Sequence, residues 1–173
     1  GISPYFSNEK NIIKSISLAL PPNYQLLIRE HPNNSFRRGK QYFKDVIKFW
    51  PNVSLVSPYV NGIKLVKNAE LVLSISGTIS LEALVLNTKS IVFSEIYFNI
   101  HEDVIHCDNL AKMGSILRKA LSSNKKNNFK NVDKFLSAIY LNSFSVIPKD
   151  KSKYANTLDY DSSKISTEEM SEL

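Results

Sequence analysis

The sequence predicts an α/β domain built on a doubly wound parallel sheet, with helices on both faces. Between residues 8 and 141, short apolar runs alternate with longer segments in which apolar residues recur every three or four positions. The short runs are apolar at successive positions, which is typical of strands buried on both faces of a parallel sheet. Strands that alternate with helices in this way are joined by right-handed crossovers, and this pattern defines the fold class.

The spacing of apolar residues predicts six helices. In the first, over residues 8–20, Ile12 and Ile16 lie one turn apart on the same face, and the prolines at 21 and 22 end the helix. Further helices are predicted over residues 40–50, 60–68, 78–86, 109–121 and 128–141.

Short buried strands are predicted between these helices. The first follows the proline pair and reads YQLLIR, and the fourth reads SIVF. Residues 2–6 could represent only the end of a further strand before the first helix. The predicted strands cover residues 24–29, 53–56, 71–75 and 90–93, with a very short fifth one at 104–105.

The length and composition indicate one domain with a polar extension. A chain of 173 residues that is 43% hydrophobic can bury one core. We assign residues 1–146 to the domain and residues 147–173, which are polar and charged, to an extension with a short helix at 166–172. The single cysteine, Cys107, excludes an internal disulfide and a paired-cysteine zinc site, and it favours a reducing compartment.

The formal net charge of +6 suits anionic partners, such as nucleotide-sugar phosphates, nucleic acid or an anionic membrane surface. Basic residues are not interleaved with aromatic ones in the pattern of a nucleic-acid-binding module, so no nucleic-acid partner is predicted. No apolar run approaches the roughly 20 residues that span a bilayer. A signal-peptide pattern is also absent, so a cytoplasmic chain is predicted. Because the sequence does not begin with Met, we expect it to be part of a longer one.

Ligands of open parallel sheets bind beyond the carboxyl ends of the strands, so the residues after each strand are the candidates. His31 follows the first strand, behind Arg29, and Pro32 fixes the direction of the chain after it. Its imidazole can donate to a phosphate or act as an acid, and an ordinary loop histidine is the alternative. The nearby Arg37, Arg38 and Lys40 are expected to form a solvated basic loop rather than to bind phosphate.

The segment after the third strand, SISGTISLEAL, is the most informative in the chain. A strand enters a glycine turn and then a helix, so free backbone N–H groups and the positive end of the helix dipole favour an anion there. Gly77 would let the backbone approach a phosphate closely, and Ser76 and Thr78 would add hydroxyl donors. Simple capping of the helix by Ser or Thr is the alternative interpretation.

Glu82 is the only charged residue between Leu71 and Thr88. It lies four residues after Thr78, whereas a capping box requires three. Hydrogen bonds to the two hydroxyls of a nucleotide ribose are one role for this carboxylate, and a salt bridge or a merely exposed position are the others. After the fourth strand, Tyr97 and its neighbour Phe98 are equally suited to packing and to contacting a base.

Several classes of site are excluded by missing motifs. The sequence has no phosphate-binding loop of the kinase type, no dinucleotide fingerprint and no nucleophile elbow, so kinase-like, dehydrogenase and α/β-hydrolase activities are not predicted. The three histidines, at positions 31, 101 and 106, lack the spacing of metal ligands, and no metal ion or other cofactor is expected.

Three segments in order, LLIREHPNN, PNVSLVSPYV and LVLSISGTISLEALVLNTKSIVF, resemble the C-terminal domain of bacterial capsule-polysaccharide glycosyltransferases. That group is similar to sialyl- and polysialyltransferases and to teichoic-acid glycerophosphotransferases, and the resemblance covers about residues 1–121. It implies a Rossmann-like domain, the C-terminal half of a GT-B fold, which binds the donor. The partners implied are a CMP-, CDP- or UDP-linked sugar, an N-terminal acceptor-binding domain outside this sequence, and peripheral contact with the membrane.

The resemblance also assigns roles to individual residues. It implies that His31 is catalytic and that Ser76 and Thr78, with Gly77 between them, contact the phosphate or sugar acid of the donor. Glu82 corresponds to the helix carboxylate that holds the ribose. The remaining substrate-binding candidates are Arg29 and Tyr97.

One segment departs from the family pattern. The segment Leu86-Asn87-Thr88-Lys89-Ser90 lacks the glycine and the proline usually found before the next strand. Asn87 can take the left-handed conformation of that glycine, so the turn is expected to survive. Because the glycine and the proline are missing, a divergent or inactive member of the family is an alternative interpretation. A nucleotide-sugar epimerase of the related two-domain fold and a non-catalytic scaffold are the alternative functions.

Overall fold

The computed structural model describes residues 8–31, 38–122 and 129–142. The chain divides into two compact units, Gly1–Ser137 and Ala138–Leu173, and the sheets, core and candidate site described below belong to the first. The strand end expected at 2–6, Pro32, Arg37, the boundary at 146 and the helix at 166–172 lie outside the described residues. The domain boundary stays a prediction.

The observed elements follow the predicted order. The described residues form five strands, β1 (Leu26–Arg29), β2 (Val53–Val56), β3 (Val72–Ser74), β4 (Ser90–Val92) and β5 (Val104–His106). The same part of the chain forms six α-helices, α1 (Glu9–Ala19), α2 (Lys40–Phe49), α3 (Gly62–Lys67), α4 (Ile79–Val85), α5 (Met113–Ser122) and α6 (Phe129–Leu141). Short 3-10 helices cover Tyr97–Ile100 and Leu110–Lys112.

All of the strand pairings are parallel, which confirms the predicted fold class. β1 pairs with β2, and β3, β4 and β5 pair in that order. The register places Ile28 beside Leu55 in the first sheet and Ile91 beside Ile105 in the second. Among the described residues, the hydrogen-bonded strands therefore form two parallel sheets rather than one continuous sheet.

Helices cover both faces of the second sheet, as a doubly wound fold requires. Along β4 and its continuation, Ile91 and Phe93 join a core cluster that contains buried residues of α1 and α5. Val92 points to the opposite face and joins a second cluster with Leu84 of α4 and Val132 of α6. Successive side chains of a strand leave opposite faces, so the unbroken apolar run buries side chains in two separate layers.

The end of α4 confirms the expected role of Asn87, which has a φ of 61°. Its N–H donates to the Leu84 carbonyl (3.2 Å), and the Thr88 N–H donates to the Ala83 carbonyl (2.8 Å). These two bonds form a Schellman motif, in which the left-handed residue is usually glycine and sometimes asparagine. The Thr88 hydroxyl also donates to the Val66 carbonyl (3.1 Å), which ties the turn to α3.

Within the described residues, no helix is both long and apolar enough to cross a membrane.

Candidate functional site

The turn between β3 and α4 is closed by a serine that sequence reasoning overlooked. The Gly77 N–H donates to the Ser74 hydroxyl oxygen at 2.7 Å. A Cβ atom at Gly77 would lie 2.9 Å from that oxygen, so any other residue there would force the Ser74 hydroxyl to move. Of the backbone N–H groups in this turn, that of Gly77 is therefore already occupied by Ser74. In the described structure, the amides of Thr78 and Ile79 make no backbone hydrogen bond.

The hydroxyl of Thr78 does not cap the helix that follows it. Thr78 is the N-cap residue of α4, but its backbone is already helical, with φ −60° and ψ −12°, and its side chain makes no cap hydrogen bond. Side-chain capping usually requires an extended N-cap backbone. Thr78 and Ser76 are both exposed. The capping interpretation thus fails for Thr78, and its hydroxyl is accessible to a ligand.

Glu82 is exposed and lies one turn after Thr78 in α4. Residues four apart on a helix share a face, so the carboxylate and the hydroxyl lie one above the other on the exposed side of α4. Ser80, Ala83 and Leu84 occupy the buried side. Among the described residues, Glu82 forms no ion pair, so the structure gives no support to the salt-bridge alternative, and the exposed carboxylate is accessible to a ligand.

Arg29 connects the end of β1 to the loop after β2. Its Nε donates to the Val60 carbonyl (3.0 Å) and its Nη2 donates to the Pro58 carbonyl (2.8 Å). A Cβ atom at Gly62, the first residue of α3, would lie 3.6 Å from Arg29 Nη1 and 3.8 Å from Ile79 Cδ1. Gly62 therefore lies between the guanidinium and the first residue of α4. This contact brings the end of β1 and the β3–α4 turn to the same edge of the fold.

The other two predicted residues lie in exposed positions after strands. His31 is exposed two residues beyond the end of β1. Tyr97 is 57% exposed, and its ring meets the edge of Phe98 at a centroid distance of 5.0 Å. Phe98 is buried in the core cluster of α4 and α6. Of the two aromatic residues, Phe98 packs and Tyr97 presents its ring to solvent.

Arg38 does not belong to a solvated basic loop, and that expectation is wrong for this residue. Its guanidinium forms ion pairs with both Glu9 of α1 and Glu30. The Tyr42 hydroxyl donates to the Glu9 carboxylate (3.1 Å), and the Tyr42 ring centroid lies 5.2 Å from Arg38 Cζ. One cation thus joins α1, α2 and the end of β1, and we call Glu9, Glu30, Arg38 and Tyr42 the arginine cluster.

Tyr42 should make the stability of the protein fall at high pH. Burial, followed by the nearby Glu9 carboxylate, raises the pKa of Tyr42 from 10.0 to about 12. Between pH 10 and pH 12, Tyr42 ionises in the unfolded chain before it does so in the folded protein. Its contribution to the free energy of unfolding is therefore fully present below pH 10 and is lost as the pH rises towards 12. We expect the stability advantage of the wild type over Tyr42→Phe to shrink by about 2 kcal/mol over this range.

Urea denaturation at pH 8, 10 and 11.5 measures this difference. The matched control is Tyr59→Phe, which removes the same hydroxyl at a position that is 72% exposed. A pH-independent difference between the wild type and Tyr42→Phe would contradict the assignment.

A cavity of ≈ 340 Å³ lies between α2 and the carboxyl ends of β1 and β2. Its lining includes none of the seven residues predicted to form the site. The apolar part of the lining includes Ile28 of β1, Leu55 of β2 and Phe43 of α2. Its charged residues are Glu30, Arg38 and Lys40.

The remaining titratable groups do not form a metal site. In the part of the chain that the structure describes, no three His, Cys, Asp or Glu side chains are grouped so as to hold a metal ion. His101 is buried against Phe135, and its Nδ1 accepts the Asp103 N–H (3.1 Å). Cys107 is buried, and burial raises the pKa of its thiol, which disfavours the nucleophilic thiolate.

Comparisons with known proteins find a similarity in structure but none in sequence. No protein-family model matches the sequence, and no curated protein matches it. Among solved structures, the fold is similar to the glycotransferase of kitacinnamycin, with 11% sequence identity and a TM-score of 0.46. The similar region covers 77% of this chain and 34% of that chain, so this chain spans about a third of that protein's length.

Two residues that shape the candidate site were missed in the sequence. Ser74 is the last residue of β3, and its spacing of three from Gly77 was the signal for a side-chain-closed turn. Gly62 follows Asn61, whose side chain accepts the Lys64 N–H at 3.1 Å as the N-cap of α3. The Asn-Gly pair indicated a helix start, but only the fold reveals that Arg29 and Ile79 flank the glycine.

Proposed function

We propose that this chain is the donor-binding domain of a glycosyltransferase and that it binds a nucleotide-activated sugar at the β3–α4 turn. The observation that carries the proposal is the exposed pair formed by Thr78 and Glu82. A hydroxyl without a capping role and a carboxylate without an ion pair to any described residue share one helix face directly after a parallel strand. The carboxyl ends of parallel strands are where such folds bind ligands.

Each side chain of the pair has a distinct role. Glu82 accepts hydrogen bonds from the two ribose hydroxyls, and a charged acceptor makes these bonds strong. The Thr78 hydroxyl, together with the Thr78 and Ile79 amides, donates to the leaving phosphate and stabilises the charge that develops on it. Ser76 is a further hydroxyl donor at the same turn. Gly77 contributes through its conformation, because its own amide is bonded to Ser74.

Residues from the other strand ends complete the proposed site. His31 acts on the phosphate or on the sugar acid as a hydrogen-bond donor or acid. Arg29 keeps Nη1 for the ligand while its other two nitrogens hold the loop at Pro58 and Val60. Tyr97 offers an exposed ring after β4.

The wider biological role is also part of the proposal. By the motif resemblance, the whole enzyme builds a surface or capsular polysaccharide at the inner face of the membrane. An N-terminal domain binds the acceptor, so this chain alone should bind nucleotide without turnover, because donor and acceptor are not oriented together.

A thermal-shift screen of CMP, CDP, UDP and GDP tests the proposal. Binding to the native state raises the melting temperature, with a stabilisation of about 2.7 kcal/mol at a ligand concentration 100 times Kd. For the nucleotide that binds, Thr78→Val should weaken affinity by about threefold to tenfold, since one hydrogen bond is lost.

The control variant is Ser122→Ala, which removes an exposed hydroxyl at the end of α5. No shift with any of the four nucleotides would favour the scaffold interpretation and reject donor binding. Release of a free sugar product without any acceptor would favour the epimerase.

A further inference from the structure

Three helices form one layer of the fold and carry most of the positive charge found on helices. The inner faces of α1, α2 and α5 are buried in the same core cluster, to which they contribute Ile12, Val46 and Leu117 among others. The three helices carry seven basic and two acidic residues, a net charge of +5. The helices α3, α4 and α6 together carry four basic and two acidic residues, a net charge of +2. The layer of α1, α2 and α5 is therefore the more basic side of the fold.

Two polar contacts join α1 and α2 into one continuous surface. Lys10 Nζ lies 2.9 Å from Asp45 Oδ2, and the Asn52 side-chain amide donates to the Ser17 carbonyl (2.8 Å). In both contacts the two residues are 35 positions apart, so α1 and α2 run side by side in the same direction. The helix α5 also packs against α1. The outward sides of the three helices therefore form one surface.

The outward side of α2 repeats lysine at helical spacing. Lys40, Lys44 and Lys48 follow one another every four residues, and all three are exposed. Like charges four residues apart repel one another on the surface of a helix. Asp45, the only acidic residue of α2, is already paired with Lys10 of α1. An anionic partner on this surface would relieve the repulsion.

Exposed apolar side chains lie beside the lysines. Leu18 of α1 is 71% exposed and follows Lys14 by four residues, and Ile47 of α2 is 45% exposed and follows Lys44 by three. Residues at these spacings share one helix face. Lysine and large aliphatic side chains on one outward face suit an anionic bilayer, because the amines meet the headgroups and the aliphatic groups enter the boundary with the acyl chains. A soluble polyanion offers no apolar phase for Leu18 and Ile47.

We infer that the outward face of α1, α2 and α5 docks on an anionic lipid surface. Lys14 and Lys44 contact the headgroups, and Leu18 and Ile47 enter the interface beside them. The inference rests on the membrane location that is part of the proposed function, and it assigns that contact to a defined surface. Docking in this way leaves the donor turn accessible, because α4 packs on the opposite side of the second sheet from α1 and α5.

Flotation of the chain with lipid vesicles tests this inference, with vesicles of phosphatidylcholine alone and of phosphatidylcholine mixed with phosphatidylglycerol. The chain should bind the mixed vesicles, and salt should weaken this binding because it screens exposed charges. The double replacement Lys14→Glu with Lys44→Glu should weaken the binding at least about tenfold, since two attractions become repulsions. Folding should be preserved, because the change in α2 replaces two repulsions between lysines by attractions.

Two further variants separate this surface from net charge and from general polyanion binding. Lys64→Glu with Lys67→Glu reverses two exposed lysines of α3 and changes the net charge of the chain by the same amount, so it should leave vesicle binding unchanged. Leu18→Gln should weaken binding to the mixed vesicles but not to dextran sulfate, a soluble polyanion.

Failure of the chain to bind the mixed vesicles, or an equal loss of binding in the two double variants, would overturn the inference. Vesicle binding that Leu18→Gln leaves unchanged would assign the surface to a soluble polyanion and would equally overturn it. The thermal shift with nucleotide should persist in Lys14→Glu with Lys44→Glu. Vesicle binding by a chain that responds to none of the nucleotides would support this surface while rejecting the donor site, so the two failures are distinguishable.

Discussion

Replacing Arg38 with alanine should lower the free energy of unfolding by about 2–3 kcal/mol, somewhat less than is typical when one partner of a fully buried ion pair is removed. The side chains of Arg38 and Glu9 are 31% and 35% exposed, but that of Glu30 is only 11% exposed. Without the guanidinium, a nearly buried carboxylate loses its counter-ion and faces a second carboxylate. The loss is therefore a desolvation and repulsion effect, and not only the loss of a contact.

Urea denaturation of three variants separates this effect from ordinary surface electrostatics. Lys10→Ala breaks the exposed pair with Asp45 (2.9 Å), whose side chains are 41% and 35% exposed, and should cost less than about 1 kcal/mol. In the background of Arg38→Ala, the further change Glu30→Gln should recover part of the stability, since it removes the uncompensated charge. A cost for Arg38→Ala no larger than that for Lys10→Ala would show that the arginine cluster contributes little.

The positions of the strands and helices were predictable because the spacing of apolar residues within each segment indicates its type. The run at 71–75 became β3, and the helix expected at 78–86 became α4, with boundaries that differ by only one residue at each end. The left-handed Asn87 was equally local, since a turn between a helix and a strand needs a residue that tolerates positive φ. Periodicity and turn chemistry therefore suffice for the fold class.

Long-range pairings could not be read in the same way. The sequences of β1 and β3 do not indicate which strands pair with them. The described strands form two sheets, where one was expected. The arginine cluster shows the same limit, because Glu9 and Arg38 are 29 residues apart and only the packing of α1 on the first sheet brings them together. A basic segment in the sequence gives no sign of a carboxylate supplied by another helix.

The candidate site was predictable in part for a related reason. The exposed pair of Thr78 and Glu82 follows from spacing within one helix, which sequence reveals directly. By contrast, the availability of the Gly77 amide depends on whether Ser74 turns towards it, which is a rotamer choice in the folded turn. Two of the three donor nitrogens of Arg29 are likewise bonded to carbonyls about 30 residues away. The sequence therefore indicated which residue types form the candidate site, but it did not indicate which of their donor groups are already hydrogen-bonded within the protein.

The replacement Glu82→Gln should weaken nucleotide binding by about 1.5–3 kcal/mol, roughly tenfold or more, if the carboxylate holds the ribose through charge-assisted hydrogen bonds. The unfolding free energy should change by less than about 0.5 kcal/mol, as is usual for exposed positions. This second expectation rests on the structure, because Glu82 is exposed and forms no ion pair with a described residue. Affinity and stability are therefore predicted to separate.

Calorimetric titration and a melting curve on the same variant measure both quantities. Glu70→Gln is the matched control, since Glu70 is exposed and lies before β3, at the opposite end of the strand from the candidate site. Both variants remove one negative charge, so a difference between them reports the local role of Glu82 and not the net charge of the chain. If the two variants bind the nucleotide with the affinity of the wild type, Glu82 does not hold the ribose, and the donor must be bound by Thr78 and its neighbours without a carboxylate on α4.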